Sequence, residues 1–172
     1  QLTAGLGRVM PADFLDAVGT PVSSSVLPVF WKGSMMTREL TAGEIQAIVE
    51  AFGVVAGRLA RVGIDGVELH GHEGYLFDQF ATAAWNRRTD RYGGSVEGRL
   101  RFAVEVFNAV KKEAGEGFPV VYQFGLKHYM SGGPPGPWSG ILPGESGEEA
   151  GRDVAEGLEM ARYLEKAGFS GL

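Results

Sequence analysis

Apolar residues recur every three to four positions in three stretches of the chain, which predicts three amphipathic helices. The first helix is expected from about Ala42 to Val62. Thr41 and Glu44 form the sequence of a capping box, in which each side chain bonds a free backbone amide of the first turn. Gly63 marks the end of this helix. The predicted inward face consists of Ile45, Ile48, Val49, Phe52, Val55, Ala56 and Leu59.

Two further helices are expected from the same pattern. One runs from about Val96 to Ala114, with Ser95 as its N-cap. The other runs from about Gly147 to Ala167, with Ser146 and Glu149 as a second capping box. The predicted inward faces are Leu100, Ala103, Val104, Phe107 and Val110 in one helix, and Val154, Leu158, Ala161 and Leu164 in the other.

Short apolar stretches between the helices predict strands at Val67–His70 and Val120–Phe124. Strands that alternate with helices indicate a parallel sheet. The links that follow these strands, residues 71–94 and 125–145, are long, whereas the links from helix to strand are short. Long loops on the carboxyl side of parallel strands are typical of a (β/α)8 barrel, which carries its active site there. A doubly wound open sheet, which binds ligands at a switch in strand order, is the alternative.

Composition narrows the classes of function. A net charge of −5 argues against a nucleic-acid partner that needs a basic surface. Asp90 interrupts the basic cluster of Arg87, Arg88 and Arg91, which we expect in a solvated loop with local ion pairs. The chain has no run of about 18 apolar residues, the length that would predict a membrane span. We expect a cytoplasmic protein. The absence of cysteine excludes thiolate-bound clusters within these residues, and no metal site is expected.

Both ends of the sequence resemble cuts within a longer chain. The chain opens on Gln1 rather than Met, and residues 165–172 repeat the pattern of residues 61–67, which lead into the first predicted strand. We therefore expect residues 1–172 to be one partial domain, an internal piece of a longer enzyme.

The chemically richest stretch directly follows the first predicted strand. There His70, His72, Glu73 and Tyr75 stand within six residues and are interspersed with glycines. Barrel enzymes present catalytic side chains at the carboxyl ends of their strands. On residue type alone, a tyrosine at such a position is more often a packing residue, and a single histidine is more often structural.

The same stretch continues into an ordered series of residues. These are His70, Gly74, Tyr75, Leu76, Gln79, Phe80, Asn86, Arg88, Asp90, Tyr92, Gly93, Gly94 and Ser95. The series resembles the motif of the Old Yellow Enzyme family of FMN-dependent oxidoreductases, and most closely its dienoyl-CoA reductase and bile-acid enoate oxidoreductase branch. The resemblance covers essentially the whole chain. It implies part of an FMN-binding TIM barrel, from about the third strand to the sixth.

The resemblance also implies an activity, the reduction of an activated C=C bond in a small unsaturated carbonyl compound by NADH or NADPH. In that family the tyrosine that matches Tyr75 delivers a proton to the α-carbon, and reduced FMN gives a hydride from N5 to the β-carbon. A phenol is protonated at neutral pH and is a suitable donor. The histidine that matches His70 bonds the substrate carbonyl and stabilises the enolate. His72 is a further expected substrate-binding residue.

Glu73 stands where much of the family has a second hydrogen-bond donor, His or Asn. An ionised carboxylate accepts hydrogen bonds and cannot donate one. Three alternatives therefore stay open: Glu73 is protonated, it orients His72 or Tyr75, or another group binds the carbonyl. Dienoyl-CoA reductases resemble the chain in having a glutamate at this position.

Two glutamines are the flavin contacts that the resemblance implies. Gln1 matches a family glutamine that bonds the pyrimidine edge of the flavin. Gln123 stands where the family normally has an arginine beside N1 and O2, so that a hydrogen bond is kept and a positive charge is lost. On the following loop, Lys127 and His128 supply positive charge, line the substrate pocket, or form an exposed pair.

Other functions stay open within the same resemblance. Members of the family also oxidise substrates, demethylate amines or desaturate ring ketones, and a degenerate chain that binds no flavin is the non-enzymatic alternative. In the resembling branch, a 4Fe-4S cluster and an FAD module that takes electrons from NAD(P)H follow the barrel. The full-length protein is therefore expected to hold these groups in addition to FMN.

Overall fold

The computed structural model describes residues 19–29, 32–72, 74–128 and 151–172. In chain order the described elements are β1 (Val22–Ser23), β2 (Pro28–Val29), β3 (Lys32–Met36), β4 (Arg38–Glu39), α1 (Ala42–Arg61), β5 (Val67–Gly71), α2 (Leu76–Ala81), α3 (Val96–Ala114), β6 (Val120–Phe124) and α4 (Val154–Ala167).

Strands β5 and β6 are parallel, as the alternation of strands and helices predicts. Their register pairs Val67 with Val120 at one end and Gly71 with Phe124 at the other. The segment after α4 continues this order, because Gly171 forms a parallel bridge with Val121. Helix α3 thus joins β5 to β6, and α4 joins β6 to the next position of the sheet. This is the repeating strand–helix unit of an α/β fold.

Helices α1 and α3 lie against each other over a common core. Their bounds agree with the predicted ones, and the capping box at Thr41 and Glu44 is present with both of its hydrogen bonds. Ser95 accepts from the Gly98 amide and caps α3, as predicted. Large apolar side chains from α1, α2, α3, α4, β5 and β6 fill one continuous core between the helices and the sheet.

The N-terminal end of α4 differs from the prediction. The helix begins at Val154 rather than near residue 147, and Asp153 caps it by accepting from the Glu156 amide at 2.8 Å. Residues 151–153 are not helical, because the Arg152 side chain enters the core and its carbonyl accepts from the His128 amide. The predicted capping box at Ser146 and Glu149 lies outside the described residues.

The inward face of α4 is also rotated from the predicted one. Val154 and Leu158 were expected inside, yet they are 45% and 44% exposed. The buried residues are Gly157, Met160 and Leu164. The cause is a close approach at Gly157, where a Cβ atom would collide with the Leu126 carbonyl of the preceding segment.

Several short elements were not predicted. Strands β1, β2 and β4 have two residues each, too few to show a period of two, and the five-residue β3 was also not predicted. Helix α2 lies inside the link expected to be a loop. Every residue of α2 is buried, so it lacks the polar face that marks an amphipathic helix.

The arginine-rich loop is less solvated than predicted. Arg88 is 7% exposed, because its Nη1 donates to the backbone carbonyls of Leu40 and Ser24. The expected local ion pair is present, with 2.6 Å between Arg88 Nη2 and Asp90 Oδ2. Within the described ranges, no helix is both long enough and apolar enough to cross a membrane.

Candidate active site

The candidate site begins where β5 and β6 end side by side. The parallel register pairs His70 with Gln123, and His70 Nδ1 lies 2.7 Å from Gln123 Oε1. Gly71 lets the two strand ends approach, since a Cβ atom there would stand 2.9 Å from the Tyr122 hydroxyl. His70 and Gln123 therefore form a fixed pair at the carboxyl edge of the sheet.

Two more side chains from the predicted cluster join this pair. The Tyr75 ring meets the His70 ring edge-on, with centroids 4.5 Å apart and an interplanar angle of 67°. The His72 ring lies 5.8 Å from His70 and 6.2 Å from Tyr75, between centroids. His70 and Tyr75 are half-buried, and His72 and Gln123 are exposed. We call these four residues the rim; its groups remain accessible to a ligand.

Tyr75 owes its position to the turn that leads into α2. Gly74 has a φ of +82°, a conformation that favours glycine. The Tyr75 amide donates to the His72 carbonyl at 3.1 Å, and the Tyr75 carbonyl accepts from the Gln79 amide at 2.8 Å. Tyr75 is the N-cap of α2. Glu73 lies outside the described residues.

Four buried polar residues lie behind this turn: Asp78, Gln79, Thr82 and Arg152. We call them the buried anchor, and each is at most 1% exposed. Asp78 Oδ1 accepts from Arg152 Nη2 at 2.9 Å and from Thr82 Oγ1 at 3.0 Å. The sequence interpretation missed this cluster. The available signal for Asp78 and Gln79 was their polarity within α2, a helix that is buried on all sides.

The buried anchor holds a carboxylate in the core. Burial raises the pKa of the Asp78 carboxyl, but the His128 ring, the Arg152 guanidinium and the Gly74 amide outweigh burial and lower the pKa below its ordinary value. The same environment acts on Tyr122, where burial first and the Asp78 charge second raise the pKa of the phenol. Asp78 is therefore ionised at neutral pH and Tyr122 is protonated.

The two predicted residues after β6 lie in different environments. Lys127 is exposed, whereas His128 is 4% exposed and stacks on Trp85 with 5.4 Å between ring centroids. His128 Nε2 lies 3.4 Å from Asp78 Oδ1, which is too long for a well-formed hydrogen bond. The His128 ring thus belongs to the core beside the buried anchor rather than to the surface.

The chemistry of the rim fits a flavin. The Gln123 amide is exposed at the strand end and carries both N–H donors and a carbonyl acceptor, which match the mixed polar edge of an isoalloxazine ring. Gln123 also carries no charge, so this position lacks the cation expected from the resemblance. Gln1, the other predicted flavin contact, lies outside the described residues.

Comparison with known proteins identifies the family. The profile of the NADH:flavin oxidoreductase / NADH oxidase family matches residues 6–134. Cinnamate reductase of Clostridium sporogenes is 44% identical over 174 residues, which cover 100% of this chain and 25% of that protein. A solved 2-naphthoyl-CoA reductase is 28% identical with a TM-score of 0.68, over 86% of this chain and 20% of that one.

A histamine dehydrogenase structure from Rhizobium sp. 4-9 is also 28% identical, with a TM-score of 0.71 over 91% of this chain and 20% of that one. The chain therefore spans a quarter or less of the length of these three proteins. The partial TIM barrel expected from the sequence is confirmed by these structural similarities. The chain belongs to the NADH:flavin oxidoreductase / NADH oxidase family, which includes the Old Yellow Enzyme relatives that its motif resembles.

Proposed function

We propose that the full-length protein is a flavin-dependent reductase of an activated C=C bond in an enoate, enone or dienoyl thioester. The observation that carries this proposal is the edge contact of Tyr75 and His70 at the carboxyl end of β5. It brings a protonated phenol next to a ring that can bind a carbonyl. Similarity to proteins named cinnamate reductase and 2-naphthoyl-CoA reductase favours an unsaturated acid or its thioester.

Gln123 at the end of β6 would hold the polar edge of FMN, and Gln1 is assigned the same task. Bound FMN supplies the hydride that adds to the β-carbon of the alkene. Because Gln123 is neutral, it offers the flavin hydrogen bonds without a charge.

Tyr75 completes the reduction by giving its phenolic proton to the α-carbon. Proton transfer from a positioned side chain typically accelerates such a step by about 10²–10⁴-fold. Tyr75 lies at the start of α2 against His70 and is only half-buried, so part of its side chain is open to a substrate.

His70 binds the substrate carbonyl and withdraws electron density from the double bond. Its Nδ1 faces Gln123 Oε1, so a donating Nε2–H requires one of two states. Either the ring is an imidazolium, or the Gln123 amide is turned so that its N–H2 group donates to Nδ1. In both states Nε2 carries the proton that the carbonyl would accept.

Glu73 and the loop after β6 complete the set of residues assigned to the substrate. We assign Glu73 an orienting role, because His70 and His72 stand close in sequence and favour an ionised carboxylate. Glu73→Gln should then weaken activity modestly. Full activity with a flattened alkaline limb of the pH profile would instead make Glu73 a protonated donor. His72 and the exposed Lys127 are the further candidates for substrate contacts, and His128 is a candidate only if the loop rearranges.

A second candidate function is flavin-dependent oxidation or demethylation of an amine. Gln123 favours it, since the absence of the arginine charge alters the stabilisation of reduced flavin. The likeness to a histamine dehydrogenase also supports an oxidative function.

We extend the proposal to groups outside the barrel. A 4Fe-4S cluster and FAD would pass electrons from NAD(P)H to FMN in a cytoplasmic full-length protein. Iron and acid-labile sulfide analysis, together with separation of FMN from FAD after denaturation, tests this extension.

One experiment separates these functions. The full-length protein is purified anaerobically, its flavin is bleached with NADH or NADPH, and cinnamate, an enone or a dienoyl thioester is added. Return of the yellow absorbance with formation of the saturated product supports the reductase. Bleaching by an amine in the absence of NADH supports the oxidative alternative. A colourless, folded protein contradicts both.

A further inference from the structure

The buried anchor has no part in the chemistry proposed above, yet it meets the turn that carries Tyr75. Asp78 uses its two carboxylate oxygens for different partners. Oδ2 accepts from the Gly74 amide at 3.0 Å, while Oδ1 accepts from Arg152 and Thr82. One carboxylate therefore joins the turn before α2 to a residue 74 positions away in the chain.

Both backbone polar groups of Gly74 are hydrogen-bonded. Its amide is taken by Asp78, and its carbonyl accepts from Gln79 Nε2 at 2.5 Å. Ser23 Oγ in turn donates to Gln79 Oε1 at 2.7 Å and fixes that amide. Because Gly74 directly precedes Tyr75, these bonds set the direction in which the tyrosine leaves the backbone.

Arg152 connects the same cluster to the end of β6. Its Nη1 donates to the Gly125 carbonyl, directly after the strand that holds Gln123, and its own carbonyl accepts from the His128 amide at 2.9 Å. The backbone at the end of β6 and the turn after β5 are thus held by one guanidinium and one carboxylate. The two sides of the rim share a common support.

The charges of this pair make the support rigid. Both side chains have 0% exposure, and a buried charge without its partner is strongly unfavourable. Arg152 Nη2 also donates to Thr82 Oγ1 at 3.0 Å. Moving Asp78 away from Gly74 would therefore disturb a buried ion pair, so alternative placements of the turn are disfavoured.

We propose that Asp78 and Arg152 are positioning residues for proton delivery, a buried ion pair that fixes Gly74 and so holds Tyr75 at the rim. This inference rests on the proposed function, because it assigns Asp78 and Arg152 a task only if Tyr75 is the proton donor. Neither residue touches the substrate. They act through the backbone of the turn.

The first test is Asp78→Asn in the full-length flavoprotein. Asparagine keeps the shape of aspartate but replaces one oxygen with an N–H2 group, which then faces either the Gly74 amide or the Arg152 guanidinium, both donors. Reoxidation of the reduced enzyme by the alkene should slow by about 10²-fold, the cost of a misplacement near 1 Å. Flavin reduction by NADH should keep its rate.

Asp90→Asn is the control for a carboxylate–arginine pair away from the turn, at a more exposed aspartate. Asp90 also pairs with an arginine, Arg88, but it contacts neither Gly74 nor Tyr75 among the bonds that the structure describes for it. Both half-reactions should be unchanged in this variant. A selective slowing in Asp78→Asn and not in Asp90→Asn would separate positioning from the general loss of an ion pair.

Two further readouts distinguish positioning from mere structural damage. Hydrogen exchange of the Gly74 amide, followed by mass spectrometry, should be faster in Asp78→Asn, whereas exchange in α3 should not change. In the double variant Tyr75→Phe/Asp78→Asn, alkene reduction should be no slower than in Tyr75→Phe alone. Multiplicative losses would mean that Asp78 does not act through Tyr75, and would overturn the proposal.

Arg152→Lys keeps the proposal testable if Asp78→Asn does not fold. Lysine retains the charge, but a single ammonium cannot reproduce the forked contacts to Asp78, Thr82 and Gly125. The same selective slowing is expected. Wild-type alkene reduction in a folded Arg152→Lys or Asp78→Asn enzyme overturns the inference. If Tyr75→Phe itself has the wild-type rate, the proposed function fails instead.

Discussion

The rim and the buried anchor lie on either side of one turn, and they differ in what holds their side chains. The rim residues are half-buried or exposed, and they meet through ring contacts and the His70–Gln123 hydrogen bond. The anchor residues are at most 1% exposed. Asp78, Thr82 and Arg152 hold one another by hydrogen bonds and an ion pair, and Gln79 is held by Ser23 and the Gly74 carbonyl. Reactive groups must stay accessible to a substrate, so the rigidity of this site comes from the buried side.

The largest expected effect is on stability and comes from removing the cation of the anchor. Arg152→Met leaves Asp78 as a buried, unpaired carboxylate, and breaking a buried pair in this way costs about 3–5 kcal/mol. Arg101→Met, which removes an exposed contact with Glu97 at 3.7 Å, should cost less than about 1 kcal/mol. Denaturant unfolding of both full-length variants measures the difference. Equal losses would remove the distinction between anchor and surface.

The next effect is on catalysis and comes from the rim. His70→Phe keeps a ring against Tyr75 but loses the proposed donor to the substrate carbonyl, which should slow alkene reduction by about 10²–10³-fold, or about 2.7–4 kcal/mol. The free energy of unfolding should hardly change, because the ring is only half-buried. His72→Phe, on the exposed side of the rim, should chiefly raise KM. A destabilised His70→Phe enzyme would show that the rim also supports the fold.

The acid limb of stability should depend on Asp78. Its pKa is lowered in the folded protein from an ordinary value near 3.8, so the ion pair contributes stability above that value. This contribution is lost as the pH falls from about 3.8 through the folded pKa. Unfolding measured down through this window should be steeper in the wild type than in Asp78→Asn. Parallel curves would mean that the surroundings of Asp78 do not lower its pKa in the folded protein.

The smallest effect should come from Gln123→Ala, which removes the hydrogen bond to His70. A single hydrogen bond of this kind contributes about 1 kcal/mol, so alkene reduction should slow only about fivefold. Stopped-flow reoxidation of the reduced enzyme measures it. A loss as large as that of His70→Phe would instead give Gln123 a direct part in the reaction.

The sequence predicted those structural features that leave a pattern within a short stretch of residues. Helices α1 and α3 have polar faces, apolar stripes and capping residues, Thr41 and Ser95, so their bounds were predictable. His70 and Tyr75 were predicted as site residues because they stand within six residues at the end of an apolar strand and match a family motif, and the structure brings their rings into contact.

The anchor could not be predicted in the same way. Arg152 lies far along the chain from its partner Asp78, and that partner is in a helix whose residues are all buried. Nothing local to Arg152 indicates that its guanidinium crosses into the core. The rotated face of α4 has the same origin, since the close contact of Gly157 with the Leu126 backbone depends on tertiary packing.

The most direct test of the account compares the two half-reactions of Tyr75→Phe in stopped-flow measurements on the full-length flavoprotein. Phenylalanine keeps the ring contact with His70 and loses only the phenolic hydroxyl, which supplies the proton. Flavin reduction by NADH should match the wild type, while reoxidation by the alkene should slow by about 10²–10⁴-fold. Wild-type rates in both half-reactions, or equal slowing of both, would contradict the assignment of Tyr75 as the proton donor at the rim.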